Sequence, residues 1–298
     1  VTSNSIGSSC VMAICRDHKG MLWVGTDGDG IYVTYPNGKP KAHYPILSGK
    51  DNCTVMSIFE DSNYDIWVGT YQNGLFKIDH NTGRFQQMDL PDPTSQNKPK
   101  IYSIVEDNNK QLWMGAMGAG IYKIDMKNLH VTSLPSYNGD LEYDLQKNAL
   151  FNNWVNCIYY SSNNKLYFGT YNGFGCIDIN THDFVSTYGI NQFLQGEVVY
   201  AIYEDRDKNI WIGTHNGLIK FNTQTQEFKS YTTDDGLPSN SIAAIKGDDN
   251  DNLWISTNYG VARFHTQSEN IVNFYTRDGL QGNEFTKRAV FKGLRGDI

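Results

Sequence analysis

One register runs through the chain six times. Runs such as Leu22-Trp23-Val24-Gly25-Thr26 and Ile66-Trp67-Val68-Gly69-Thr70 recur, anchored at Trp23, Trp67, Trp113, Tyr167, Trp211 and Trp254. The anchors are spaced by 44, 46, 54, 44 and 43 residues. Nine residues before each stands an isoleucine: Ile14, Ile58, Ile104, Ile158, Ile202 and Ile245. Twelve before stand Val11, Val55, Ile101, Val155, Val199 and Ile242, and ten before are the small residues Ala13, Ser57, Ser103, Cys157, Ala201 and Ala244. Six before, Asp17, Asp61, Asp107, Asp205 and Asp248 recur, with Ser161 the exception. Each unit carries four short strand-like runs separated by turns rich in Asn, Asp and Gly. A repeat of this period and content is that of a propeller blade. The register therefore predicts an all-β protein, a β-propeller of four-stranded blades with six full repeats plus the start of a seventh.

The 298 residues read as a single propeller region, with blades at about 9–51, 52–98, 99–136, 152–195, 196–238 and 239–281 and a partial unit at 282–298. Gly279-Leu280 and Asn283 echo Gly236-Leu237 and Asn240 at a distance of 43 residues, so a seventh unit begins before Ile298. That position is the mouth of a strand, so the chain reads as a piece of a longer protein whose propeller is expected to have seven blades. An insertion at 136–153, acidic and aromatic, accounts for the long third spacing. Essentially no helix is expected outside it. Composition excludes several classes. The formal net charge is −7 and the basic residues are scattered, which leaves no stripe for nucleic acid. No apolar run is long enough to span a bilayer, and the first residues carry no signal-peptide pattern.

The units resemble the two-component regulator propeller repeat. Ser57-Ile58-Phe59-Glu60-Asp61, Ile66-Trp67-Val68-Gly69-Thr70 and Gly74-Leu75 carry the resemblance. So do Ala201-Ile202-Tyr203-Glu204-Asp205, Ile210-Trp211-Ile212-Gly213-Thr214 and Gly217-Leu218. The family is that of Bacteroides-type hybrid two-component sensors. The resemblance implies the periplasmic portion of an inner-membrane protein, placed in its membrane-proximal propeller. It also implies a neighbouring propeller and a β-sandwich in the same parent chain, a homodimeric parent, and an oligosaccharide as ligand. Kinase, receiver and DNA-binding segments are absent from these residues. Departures are Tyr167 and Ser161 in unit 4, Ala116 in unit 3 and Ser256 in unit 6.

Motifs that bear chemistry are weak. The recurring aspartates suit turn capping better than catalysis, because one carboxylate per blade is architecture. A sialidase-like site would require three convergent arginines, and the seven present show no such pattern. Asp248-Asp249-Asn250-Asp251-Asn252 lacks the Gly and Glu of a calcium loop. Seven histidines stand apart from metal-ligand spacing. No catalytic residue, metal or cofactor is expected. Cys157 and Cys176 fall two strands apart, ~9.5 Å, too far for a disulfide. Cys10 and Cys53 are the one geometrically plausible pair, and free buried thiols are the general expectation.

The working face should be the rim built from the turns between second and third strands and the loops between blades. Those segments vary between units, while strand positions are fixed by packing. Candidate ligand-binding residues there are Trp154, Tyr71, Asn73, Tyr171, Asn172, His215, Asn216, Asn258, Tyr259, Asp27 and Asp29. Aromatic faces beside Asn, Asp and His suit sugars through stacking and paired hydrogen bonds. Each of these residues also has an ordinary reading as a turn residue. The leading function is a ligand-sensing propeller that detects an oligosaccharide or relays its binding to a cytoplasmic kinase and transcriptional output. The alternatives are a structural or dimerisation module and a propeller glycosidase or lyase.

Overall fold

A computed structural model describes residues 10–45, 53–79, 81–91, 98–134, 152–285, 287 and 290. Its strands form six four-stranded antiparallel sheets, each ordered as a simple meander, and the fold is a β-propeller. The chain divides into two compact units, residues 1–136 with 153–155, and residues 137–152 with 156–298. Unit 1 holds blade 1, made of β1 (Val11–Arg16), β2 (Leu22–Thr26), β3 (Ile31–Thr34) and β4 (Pro40–Tyr44). It also holds blade 2, of β5 (Val55–Glu60), β6 (Ile66–Thr70), β7 (Leu75–Ile78) and β8 (Phe85–Met88). Its blade 3 is β9 (Lys100–Glu106), β10 (Gln111–Met117), β11 (Gly120–Asp125) and β12 (His130–Ser133). Unit 2 holds blade 4, of β13 (Val155–Tyr160), β14 (Lys165–Thr170), β15 (Gly173–Asp178) and β16 (Phe184–Val185). Blade 5 is β17 (Val199–Glu204), β18 (Asn209–Thr214), β19 (Leu218–Asn222) and β20 (Phe228–Tyr231). Blade 6 is β21 (Ile242–Gly247), β22 (Asn252–Thr257), β23 (Gly260–His265) and β24 (Ile271–Phe274).

The core lies between faces of consecutive blades. In unit 1 one cluster joins Trp23, Ile31 and Val33 of blade 1 to Val55, Ile58 and Val68 of blade 2. In unit 2 another joins Trp211 and Leu218 of blade 5 to Ile242, Ile255 and Phe264 of blade 6. The glycine two residues after the anchor in blades 1, 2, 4 and 5 makes this approach possible. A Cβ on Gly25 would stand 2.5 Å from Val55, and one on Gly213 would stand 2.6 Å from Ile242. The first strand of the following blade is therefore seated directly on the glycine backbone. The residue between the twelfth and tenth positions before the anchor is bulged in blades 1, 2, 5 and 6, and at the matching step in blade 3. This bends the first strand where blades converge.

The recurring aspartate does more than cap a turn. In all five blades that have it, one carboxylate oxygen accepts the indole N–H of the anchor tryptophan. The distances are 2.9 Å for Asp17 and Trp23, 2.7 Å for Asp61 and Trp67, 2.7 Å for Asp107 and Trp113, 2.7 Å for Asp205 and Trp211, and 3.0 Å for Asp248 and Trp254. The other oxygen accepts backbone N–H groups of the turn, as at Met21 and Asp65. A buried indole donor is thus satisfied by the residue that shapes the turn. These first turns are also laced to each other. Glu60 accepts the backbone N–H of His18 in the preceding blade at 2.7 Å. Glu106 does the same for Ser62 at 2.7 Å, and Glu204 for Ser162 at 2.8 Å. Blade 6 has Gly247 at the glutamate position, and Arg206 of blade 5 reaches across to Asp251 at 2.9 Å instead.

Two expectations gain detail. A short helix, α1 (Tyr188–Leu194), lies between β16 and β17, a seven-residue exception in a protein with almost no helix. It forms because the fourth strand of blade 4 stops after two residues, and Ile190 and Leu194, one turn apart, are buried against Phe174 and Val199. Asn191 fixes it to blade 4, donating to Phe174 O at 2.7 Å and accepting from Phe174 N at 2.9 Å. None of the five cysteines is in a disulfide, in keeping with the general expectation of thiols, and the plausible Cys10–Cys53 pair is not bridged. Residues 135–151, which include most of the insertion, lie outside the described residues. The lead into the seventh unit repeats the lead into the sixth: Thr276 N–H bonds Asn283 at 2.9 Å as Thr233 N–H bonds Asn240 at 2.8 Å.

Candidate functional site

Within each unit, the turns between second and third strands interlock with the loops that enter the blades. The turn N–H groups of Asp27, Tyr71, His215 and Asn258 bond the carbonyls of Cys10, Thr54, Val198 and Ser241, each just ahead of its own first strand. The turn glycines reach the next loop: Gly30 N–H bonds Cys53 O, Gly120 bonds Asn153, Gly173 bonds Glu197 and Gly260 bonds Asn283. Backbone hydrogen bonding is therefore saturated by architecture, and the side chains of these turns are left to define the rim.

In unit 1 the rim residues divide by partner. Asp27 accepts from Thr54 Oγ1 at 2.7 Å, which ties the blade 1 turn to the entrance of blade 2. Asp29 accepts from the Tyr32 hydroxyl and lies 3.4 Å from His43, whose ring stacks on Tyr32 at 4.2 Å. Tyr71 lies under the Lys100 ammonium, 4.5 Å from the ring centre, and 6.4 Å from Tyr102. Asn73 is half-buried, with its backbone N–H on Thr70 Oγ1. Trp154 is 48% exposed and bridges to Met117 at the end of β10.

In unit 2, Asn172, Asn216 and Tyr259 each hold the threonine hydroxyl that ends their second strand, through their backbone N–H groups. Tyr171 and Tyr259 are exposed, Tyr259 the more so at 58%, and Tyr259 faces Tyr275 at 5.7 Å. Asn258 accepts from Ser239. His215 is exposed beside Asn216. The Asn216 amide donates to Glu197 in the loop that enters blade 5. This pair lines a cleft of about 220 Å³. Phe193 and Leu194 at the end of α1 line the same cleft, with Ile219, Ser230 and Thr232. Phe193 is 46% exposed and lies 4.8 Å from the ring of Phe228. Of the residues expected from the sequence, the cleft includes Asn216. It adds Phe193, Glu197 and Ser230. Their one visible signal was the Ile190/Leu194 spacing, which marks a helix.

The sequence profile of the two component regulator propeller matches residues 5–28, 48–72, 149–172, 194–216 and 236–259. The chain carries five copies of that family's repeat. Each match runs into the first two strands and the following turn of a blade, and blade 3 falls between the matched spans. The family repeat thus specifies scaffold, while Phe193, Gly217, Ile219, Ser230 and Thr232 of the cleft lie outside the matches. No curated protein sequence matches the chain. Among solved structures it is similar to the extracellular domain of a protein described as a hybrid two component system from B. thetaiotaomicron. That likeness has 26% identity and a TM-score of 0.85, and covers 99% of this chain and 38% of that one. A second such domain from the same organism, 20% identical with a TM-score of 0.76, covers 98% of this chain and 36% of the other. This regulator propeller chain therefore spans well under half the length of these relatives. An inactive variant of virginiamycin B lyase from Staphylococcus aureus, with quinupristin, shares the fold at 18% identity and a TM-score of 0.71, over 96% of this chain and 89% of that one. The regulator propeller is thus homologous to extracellular propeller domains of Bacteroides two-component systems. Among its described residues, no helix is long and apolar enough to cross a membrane.

Proposed function

We propose that this propeller is a non-enzymatic sensory module in the periplasmic portion of an inner-membrane hybrid two-component system. There it detects an oligosaccharide, or relays its binding, to a histidine kinase and a transcriptional output. The observation that carries the reading is the likeness along 99% of the chain to the extracellular domain of such a system, at 26% identity. The carboxylates support the non-enzymatic part. The five recurring aspartates are spent on indole and turn donors, and no nucleophile stands beside a base among the rim residues described above. The proposed partners are a second propeller and a β-sandwich of the same parent chain, with a second copy of the parent.

The test reads the protein encoded beyond residue 298 and assays it. A membrane helix followed by a kinase, with autophosphorylation that responds to a glycan panel, is the expected result. New reducing ends released from the panel by this chain would overturn the non-enzymatic reading. A downstream region with no kinase would overturn the sensory one.

A further inference from the structure

The cleft in blade 5 has a composition that selects among ligands, and we propose that it is a one-ring site for an uncharged, hydroxyl-rich ligand such as a terminal neutral sugar. The inference rests on the oligosaccharide reading and deepens it. Three observations carry it. The first is size. At about 220 Å³ the cleft lies below the ~300–1,000 Å³ of sites for drug-sized ligands, which suits a single ring with the rest of a chain leading out into solvent.

The second is geometry. Phe193 offers a half-exposed apolar face at one side, held by the helix whose other residues, Ile190 and Leu194, are locked in the core. In the same lining, Asn216 and Glu197 are already hydrogen-bonded to each other, so these polar groups are fixed before any ligand arrives. Gly217 adopts φ +142°, and a Cβ there would stand 2.7 Å from Tyr231 O, so the turn that presents Asn216 depends on glycine. Ser230 and Thr232 add hydroxyl groups to the lining. An aromatic face in one cleft with fixed amide and carboxylate groups suits the apolar face and the hydroxyl edge of a pyranose.

The third is charge. The lining holds one carboxylate, Glu197, and no Lys, Arg or His. The nearby lysines are turned away by strand alternation. Lys229, adjacent to Ser230, pairs with Glu269 and lies over Tyr231. Lys220, adjacent to Ile219, lies over Trp211. A uronate or sulfated ring would therefore set an anion against Glu197 with no counter-charge in the lining, whereas hydroxyl groups would donate to it.

The experiment is saturation-transfer NMR and calorimetry on the 298-residue chain, with millimolar glucose-, galactose- and mannose-terminated disaccharides and their glucuronate- and galacturonate-terminated counterparts. At least one neutral disaccharide is expected to bind about tenfold or more tightly than its uronate counterpart. Phe193→Ala and Asn216→Ala should each weaken that binding about tenfold with an unchanged melting temperature, since both side chains are exposed. Glu197→Gln should retain the neutral ligand within a few-fold and narrow the gap to the uronate. Saccharide binding that ignores Phe193→Ala and Asn216→Ala, or that favours uronates, overturns the cleft assignment and leaves oligosaccharide sensing standing. Absence of any saccharide signal from the unmodified chain overturns both the cleft assignment and direct detection by this propeller, and leaves the relay reading to the kinase assay.

Discussion

In blade 5 the Asp205 carboxylate takes the indole N–H of Trp211 at 2.7 Å, and the Lys220 ammonium lies 5.4 Å over the same ring from the paired position on β19. In blade 4 the three corresponding residues are Ser161, Tyr167 and Cys176. Tyr167 stacks on Phe174 at 5.5 Å, and its hydroxyl meets Asn163 and the Cys176 thiol. Ser161 closes the turn by bonding Lys165 O at 2.9 Å. The first two members change together. A carboxylate at residue 161 would be buried opposite a phenol rather than an indole. A lysine at residue 176 would lose the larger ring beneath it, in a position that is now 2% exposed. The third position also changes alone: in blade 1 Val33 pairs with Trp23 while Asp17 keeps its bond to the indole. The blade thus tolerates two packings, one built on charge and one neutral, and the unit of substitution is the Asp–Trp pair rather than the single residue.

The largest effect expected from this contrast is at Asp205. Removing its side chain strands the buried Trp211 N–H and the Asn209 donors, so Asp205→Ala should cost about 3 kcal/mol in urea unfolding. Ser161→Ala in blade 4 should cost about 1 kcal/mol, because it removes a neutral hydroxyl from a turn. Equal losses would dissolve the distinction between the blades. A double-mutant cycle sharpens it. Ser161→Asp alone should destabilise by about 2 kcal/mol, as a buried carboxylate lacking its indole partner. Combining it with Tyr167→Trp should recover much of that, with a coupling energy of about 1–3 kcal/mol. Additive effects would show that residues 161 and 167 are not a unit.

The contrast also explains what could be read in advance. The Trp, Ile and Gly positions recur because every blade must seat the next, so the register exposes both the fold and its packing. The aspartate was legible as a turn residue, but its bond to the indole was not. The hint lay in the joint change at Ser161 and Tyr167, the one unit where both differ. The glutamates at 60, 106 and 204 join neighbouring blades, yet they occur in only half of the units and so carry no full register. Helix α1 stayed hidden because the anchor spacing across it is an ordinary 44 residues: shortening β16 releases the residues that form it. The cleft depends on that helix setting Phe193 against Phe228, two positions that no repeat relates. Asn216 was legible as a rim residue because it sits in a turn that does repeat.

A smaller effect is expected in acid. Burial pushes the Asp248 carboxyl up. The hydrogen bonds it accepts from Asn252, Trp254 and Asn250 together outweigh this and hold it below the ordinary carboxylate value. A group depressed in the folded state contributes stability above its unfolded value, about pH 4, and loses that contribution as pH falls toward the folded value. Denaturation midpoints of the wild-type chain should therefore drop as pH falls below about 4. Asp248→Asn, less stable at neutral pH, should show a shallower drop. A slope identical in the two proteins would mean that the indole-binding carboxylate is not what acid weakens in blade 6. Ser161 in blade 4 has no such proton to gain.

The smallest perturbation asks whether the neutral trio of blade 4 is chemically silent. Burial pushes the Cys176 thiol up to about 12, with Lys165 and Tyr167 opposing and Asp178 adding to the rise. At pH 8 this leaves about one thiolate in 10⁴, and the thiolate is the nucleophile. The sulfur is also enclosed, packed among Tyr167, Phe174 and Val199 in the cluster that joins blades 4 and 5. Iodoacetamide at pH 8 should therefore leave Cys176 unmodified in the native protein and alkylate it once guanidinium unfolds the chain, with site occupancy read by peptide mass spectrometry. Opening the blade locally should be enough to change this: Tyr167→Ala, which removes the ring beside the thiol, should give measurable native-state labelling at Cys176. Rapid labelling of Cys176 in the unmodified protein would mean that blade 4 opens on its own. Its neutral trio would then be a weak point in the structure rather than a second way of closing the same blade.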